Sequence, residues 1–134
     1  MPRVAMPRVA MQGIILALAL VSICMSAVAQ VLFKVGMSGA AVRAALADGA
    51  ALGVIRAVAL NPGIVGGLAL YGLGTVLWLG VLSRAELSQA YPFVGLSFVL
   101  TAVFGAVLFH DTLSAGPIAG IAAIVVGVYL VGRG

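Results

Sequence analysis

A chain of 134 residues that is 64% hydrophobic and 7% charged cannot cover a water-facing surface, because a soluble domain carries about 25% charged residues. With a mean hydropathy of +1.31 and a net charge of only +4, lipid is its main solvent, and nucleic-acid binding is excluded for want of exposed basic surface. The length leaves no room beside the membrane region for a catalytic domain, a nucleotide site or a receptor ectodomain, so neither an enzyme nor a cofactor or metal site is expected.

The N-terminus repeats itself as MPRVA-MPRVA-M. Residues 1–11 read as a basic tail or a start-site artefact, with Met1, Met6 and Met11 all available as starts, and residues 12–134 read as the membrane domain. The first uncharged run, 12–33, contains no Lys, Arg, Asp, Glu or His and is too long for a signal-peptide core. It is read as a retained span ending near Lys34, with Gly36 and Gly39 as breakers. Cys24 lies inside it and is expected to be a small, inert core residue; a lone cysteine excludes an intramolecular disulfide.

Residues 38–60 are Ala-rich and carry Arg43, Asp48 and Arg56, too polar for a span. They predict one or two short interfacial helices, or an outward extension of the next span. Asn61-Pro62-Gly63 is the turn that admits the second uncharged run, 62–82, which is rich in glycine, a residue that lets membrane helices approach closely. After the link 83–88, the third run covers 89–109, with Pro92 in its first turn, where few intrahelical bonds are lost. Only His110-Asp111-Thr112 separates it from the fourth, 113–132, so spans three and four form a tight antiparallel hairpin. A helix of about 20 residues crosses the roughly 30 Å hydrocarbon core. The fold class is therefore all-α, an integral membrane protein of four transmembrane helices. Its interior is so small that a second copy or a partner is expected to complete a pathway, making a dimer.

Four spans put both termini on one side. Arg3, Arg8, Arg84 and Arg133 then face Lys34, Arg43 and Arg56 across the membrane. This near balance leaves orientation open, dual insertion included.

Within the spans, Ser26, Gln30 and Lys34 recur every fourth residue and share one helical face. Such a stripe faces a bundle interior or a cavity, and its terminal ammonium suits an anionic head group. The plainer reading keeps Ser26 and Gln30 as interhelical bonds, with Lys34 snorkelling to the interface. Arg43 and Arg56 either widen an anion-binding vestibule or anchor the interface. Tyr91 is a substrate contact or an interfacial aromatic. Asp111 is the carboxylate nearest a coupling role, and the plainer reading makes it or Ser114 the cap of span four. Arg84 and Glu86 form at most a weak surface pair. Gly116, Gly120 and Gly127 offer a close-packing face within the chain or between chains.

These features resemble the EamA-type drug/metabolite transporter superfamily, above all the small four-helix subunits of the aminoarabinose-phosphoundecaprenol flippase. The likeness rests on Tyr71–Gly127, on the run Leu87-Ser88-Gln89-Ala90-Tyr91-Pro92, on the acidic turn His110-Asp111 and on the Ser26, Gln30, Lys34 pattern. It departs at the duplicated N-terminus and at residues 40–60. The related small multidrug resistance proteins depend on a membrane-embedded Glu; the position here, aligned on Lys34, is Ser26, so cation-for-proton exchange is disfavoured.

The resemblance implies a flippase subunit that moves a polyprenyl-phosphate-linked sugar across a bacterial inner membrane for lipid A or envelope glycan synthesis. Its partners would be membrane lipids, that substrate and a second copy or homologous subunit. Lys34, with Arg43 or Arg56, would hold the phosphate, while Gln30, Ser26 and Tyr91 line the sugar's route. A small exporter of drugs or metabolites and a non-transporting accessory subunit are the competing readings.

Overall fold

The computed structural model describes residues 8–133. The first copy of the N-terminal repeat, with Arg3, lies outside them. Seven helices follow in order: α1 (Arg8–Met37), α2 (Ala40–Asp48), α3 (Ala51–Ala59), α4 (Pro62–Leu82), α5 (Leu87–Ala90), α6 (Gly95–Leu108) and α7 (Ala115–Arg133). A 3-10 turn, Tyr91–Val94, joins α5 to α6. Four segments are long and apolar enough to cross a membrane: Gly13–Met37, Pro62–Leu82, Tyr91–Leu108 and Ala115–Arg133. No strand occurs among the described residues. The fold is therefore all-α with four spans, a multi-pass membrane protein in which the backbone groups of each span, its end turns apart, are bonded within its own helix.

Boundaries moved where packing overrode local signals. α1 begins at Arg8, inside the segment read as a tail, and runs through Lys34 and Gly36 to Met37. Gly36 does not break the helix because it is its contact point. A Cβ there would stand 2.7 Å from Asn61 Oδ1. Residues 38–60 form two helices rather than an extension of α4. They part at Gly49, whose φ of 79° is left-handed backbone that a side chain disfavours. Pro92 falls in the 3-10 turn that separates α5 from α6, consistent with its missing N–H. The connection to α7 is longer than three residues, because α6 ends at Leu108 and His110 adopts a φ of 56° before α7 begins at Ala115.

The core is the antiparallel pair α1–α4. Asn61 caps α4 by accepting from the backbone N–H of Gly63 (2.9 Å) and Ile64 (3.2 Å), and its Nδ2 donates to the Gly36 carbonyl at 3.0 Å. One side chain thus starts α4 and ties it to the end of α1, closing the base of the α2–α3 excursion. Further along, a Cβ at Gly67 would lie 2.7 Å from the Phe33 ring and 3.2 Å from the Ala29 carbonyl. At Gly74 it would lie 3.3 Å from Met25 and 3.4 Å from the Ser22 carbonyl. These glycines are what let the two backbones touch. Ala19, Ile23, Ala27 and Ala29 are buried on α1, and Ile64 and Val81 on α4. α6 lies against α1, and α7 packs on α6 through Ile124 and Val128, which meet the open side of Gly95.

Candidate functional site

Between α1, α4 and the start of α6 lies a cavity of about 240 Å³. It is small beside the roughly 300–1,000 Å³ of drug-sized sites and suits a single-ring head group. α1 contributes Ser22, Ile23 and Ser26; α4 contributes Tyr71, Gly74, Thr75 and Trp78; the 3-10 turn and α6 contribute Tyr91, Val94 and Ser97. Each set follows the helical period of three and four residues. Among the described residues, no charged side chain lines the cavity.

One of its hydroxyls ties α1 to α4, and two others bond back to the preceding turn of their own segment. Ser22 Oγ donates to the Gly74 carbonyl at 2.7 Å, a buried bond between helices. Thr75 Oγ1 donates to the Tyr71 carbonyl at 2.9 Å, and Ser97 Oγ to that of Val94 at 2.7 Å. Their oxygens keep lone pairs free to accept. Ser26, Tyr71, Trp78 and Tyr91 make no side-chain hydrogen bond among the described residues. The wall therefore combines hydroxyl donors and acceptors with three aromatic surfaces. Phe33 supports Tyr71 from behind, with ring centroids 6.5 Å apart.

The structure brings together two of the residues singled out in the sequence, Ser26 and Tyr91. Gln30 and Lys34 continue the α1 stripe beyond the cavity and are exposed. Eight residues separate Ser26 from Lys34, about 12 Å of helix. Arg43 on α2 and Arg56 on α3 are exposed and do not line the cavity. Asp111 is exposed. Its carboxylate lies over Gly105 of α6, where a Cβ would meet Oδ2 at 2.6 Å, and its backbone N–H donates to the Gly105 carbonyl at 3.0 Å. The carbonyl of Ser114 accepts the first bond of α7, from Ile118, at 3.2 Å.

Gly116, Gly120 and Gly127 are exposed, and nothing stands within 4 Å of a Cβ on any of them. They do not serve packing within the chain; Gly67 and Gly74 of α4 do. Cys24, expected in the core, is exposed, on the side of α1 that also exposes Leu20, Val21 and Val28. Among the described residues, no cluster of His, Cys, Asp or Glu could hold a metal ion.

Sequence reasoning missed Ser22, Tyr71, Thr75, Trp78 and Ser97. Ser22 was legible as one more step of the same four-residue stripe. Tyr71, Thr75 and Trp78 share a face by spacing, but glycine and leucine surround α4 so evenly that no face stands out.

Fold and cavity together define a small four-span membrane protein with a polar pocket between its apolar helices. Its relatives make that class more particular. Over 66 residues it is 42% identical to a protein of Pseudomonas savastanoi pv. phaseolicola named probable 4-amino-4-deoxy-L-arabinose-phosphoundecaprenol flippase subunit ArnE, a match covering 49% of this chain and 58% of that one. The protein of that name from Aeromonas hydrophila is 36% identical over 72 residues, covering 54% and 63%. The one from Pseudomonas aeruginosa is 40% identical over 62 residues, covering 46% and 54%. The chain thus spans less than two thirds of the length of these relatives, and they bear out the resemblance read from its residues. No protein-family model matches the chain, and no solved structure does.

Proposed function

We propose that this chain is a subunit of a membrane flippase that moves a polyprenyl-phosphate-linked aminosugar across the bacterial inner membrane, as part of lipid A or envelope glycan synthesis. The observation that carries the reading is the likeness to relatives so named. The cavity supports it. Hydroxyls and aromatic faces, with no charge among them, suit a hydroxylated ring. Tyr71, Trp78 and Tyr91 are the groups that would receive the amino group of such a sugar, by cation–π attraction.

The stripe Ser22, Ser26, Gln30, Lys34 then acts as a series of polar rungs leading from the cavity to the membrane surface at the end of α1. Lys34 sits in the last turn of α1, where an ammonium also complements the helix dipole. It is the group placed to attract the lipid phosphate as the head group leaves, with Arg43 and Arg56 on the same side. The word subunit in the relatives' names favours a partner chain, and the open Gly116 and Gly120 at the start of α7 are the surface it would use. A proton-coupled exporter of cations is less well served. Asp48, Glu86 and Asp111 are all exposed, and none lines the cavity.

The test is translocation of labelled undecaprenyl-phosphate aminoarabinose in proteoliposomes holding the chain and its partner subunit. Lys34→Ala should slow it about ten-fold or more, the size of one lost charge-assisted bond, while leaving the fold intact. An unchanged rate removes Lys34 from the mechanism. No translocation with any homologous partner removes the flippase reading itself.

A further inference from the structure

We propose that the apolar groove between the 3-10 turn, α6 and α7 seats the first isoprenoid units of a polyprenyl-phosphate lipid whose head group occupies the adjoining polar cavity. This deepens the flippase reading and rests on it. The groove measures about 400 Å³. Pro92, Gly95 and Phe98 form one wall and Ile124, Gly127 and Val128 the other. Tyr91 and Val94 line both the groove and the polar cavity, so the two spaces adjoin at one turn of chain.

The pairing matches an amphiphile. Moving a hydrocarbon tail from lipid to an apolar groove gains little, because lipid tails are as apolar as the protein surface. The groove therefore cannot recruit a chain by hydrophobicity alone. A chain tethered to a head group held next door is different, since its local concentration is set by the tether. Close contacts along a methyl-branched chain then add dispersion energy without a further cost of association. Phe98, 59% exposed, stands as a rim along the groove.

Gly127 provides a clean probe. It lines the groove, yet nothing lies within 4 Å of a Cβ there, so a leucine has room to enter the groove. Gly120, seven residues earlier on the same face and equally open, is outside the groove. The experiment measures binding of undecaprenyl-phosphate aminoarabinose to the purified full chain by native mass spectrometry, with thermal stability read alongside. Gly127→Leu should weaken binding by roughly five-fold, and Gly120→Leu should leave it within about two-fold. Phe98→Ala, which truncates the rim, is the second variant and should lower binding in the same direction.

Equal affinity of wild type, Gly127→Leu and Phe98→Ala overturns the proposal, as does a wild type that does not bind the lipid. An equal loss in Gly120→Leu also overturns it, by showing that a second copy covers the face. Translocation of the sugar-bearing lipid is scored separately. Groove-dependent binding without translocation keeps the groove and discards the flippase reading. Translocation with groove-independent binding does the reverse.

Discussion

Two helices of this membrane domain, α4 and α7, use glycine to opposite ends. On the side of α4 that faces α1, Gly67 and Gly74 are contact points that admit Phe33, Ala29, Met25 and Ser22, although Gly66, Gly72 and Gly80 of the same helix are open. In α7, Gly116, Gly120 and Gly127 look onto open space. Burial follows: 28% of the apolar window of α1 lies inside the protein, against 6% of that of α7. A glycine row therefore marks a surface that can be approached closely, and says nothing of what approaches it. In one case the chain supplies its own partner. In the other the surface is left to lipid, to substrate or to another chain.

The sharpest way to break this contrast is to fill both rows. Gly67→Leu forces a side chain into Phe33 and the Ala29 backbone and should destabilise the protein by about 3 kcal/mol, the upper range for overpacking. Gly116→Leu should cost less than about 0.5 kcal/mol. Unfolding titrations in mixed detergent read both, and similar values would abolish the distinction.

Next in size is the tie at the base of the pair. Asn61→Ala removes the α4 cap and the bond to the Gly36 carbonyl together, an expected loss of about 1 kcal/mol. Asn61→Asp keeps the cap acceptor and loses the donor, so it separates the two contributions in the same titration.

Ser22→Ala tests the polar contact between the helices. Bonds of this kind in membranes average about 0.6 kcal/mol, and a loss of that order is expected. The variant should also slow transport if the cavity is the head-group seat, since the hydroxyl lines it.

The smallest expected effect sharpens the other side. Gly120→Ala should leave the stability of the single chain within about 0.5 kcal/mol, because its Cβ meets nothing. If α7 is the surface for a second chain, the same substitution should shift cross-linking or sedimentation toward the single chain. An unchanged assembly state would assign that face to lipid.

The four spans, their order and the α6–α7 hairpin were legible in the sequence because hydropathy is a local, additive property judged against a fixed bilayer thickness. Helix edges were less legible. Gly36 looks like a breaker until Asn61 is seen against it, and residues 38–60 divide only because Gly49 takes left-handed backbone. Less of the candidate cavity was legible. Ser26 and Tyr91 were identified by spacing and type, while Trp78, Thr75 and Ser97 carry no signal until three helices converge on them.

By itself, then, the sequence determined that this is a four-span membrane protein with a polar stripe along α1, since period and hydropathy require no knowledge of neighbours. The tertiary structure alone decided which glycines pack, that Ser22 and Ser26 lie in a cavity, and that Gln30 and Lys34 lie beyond it. The physical reason is that four-residue spacing specifies a face of a helix. What covers each turn of that face depends on where the other helices cross it, and those crossings are set by contacts between residues far apart in the chain.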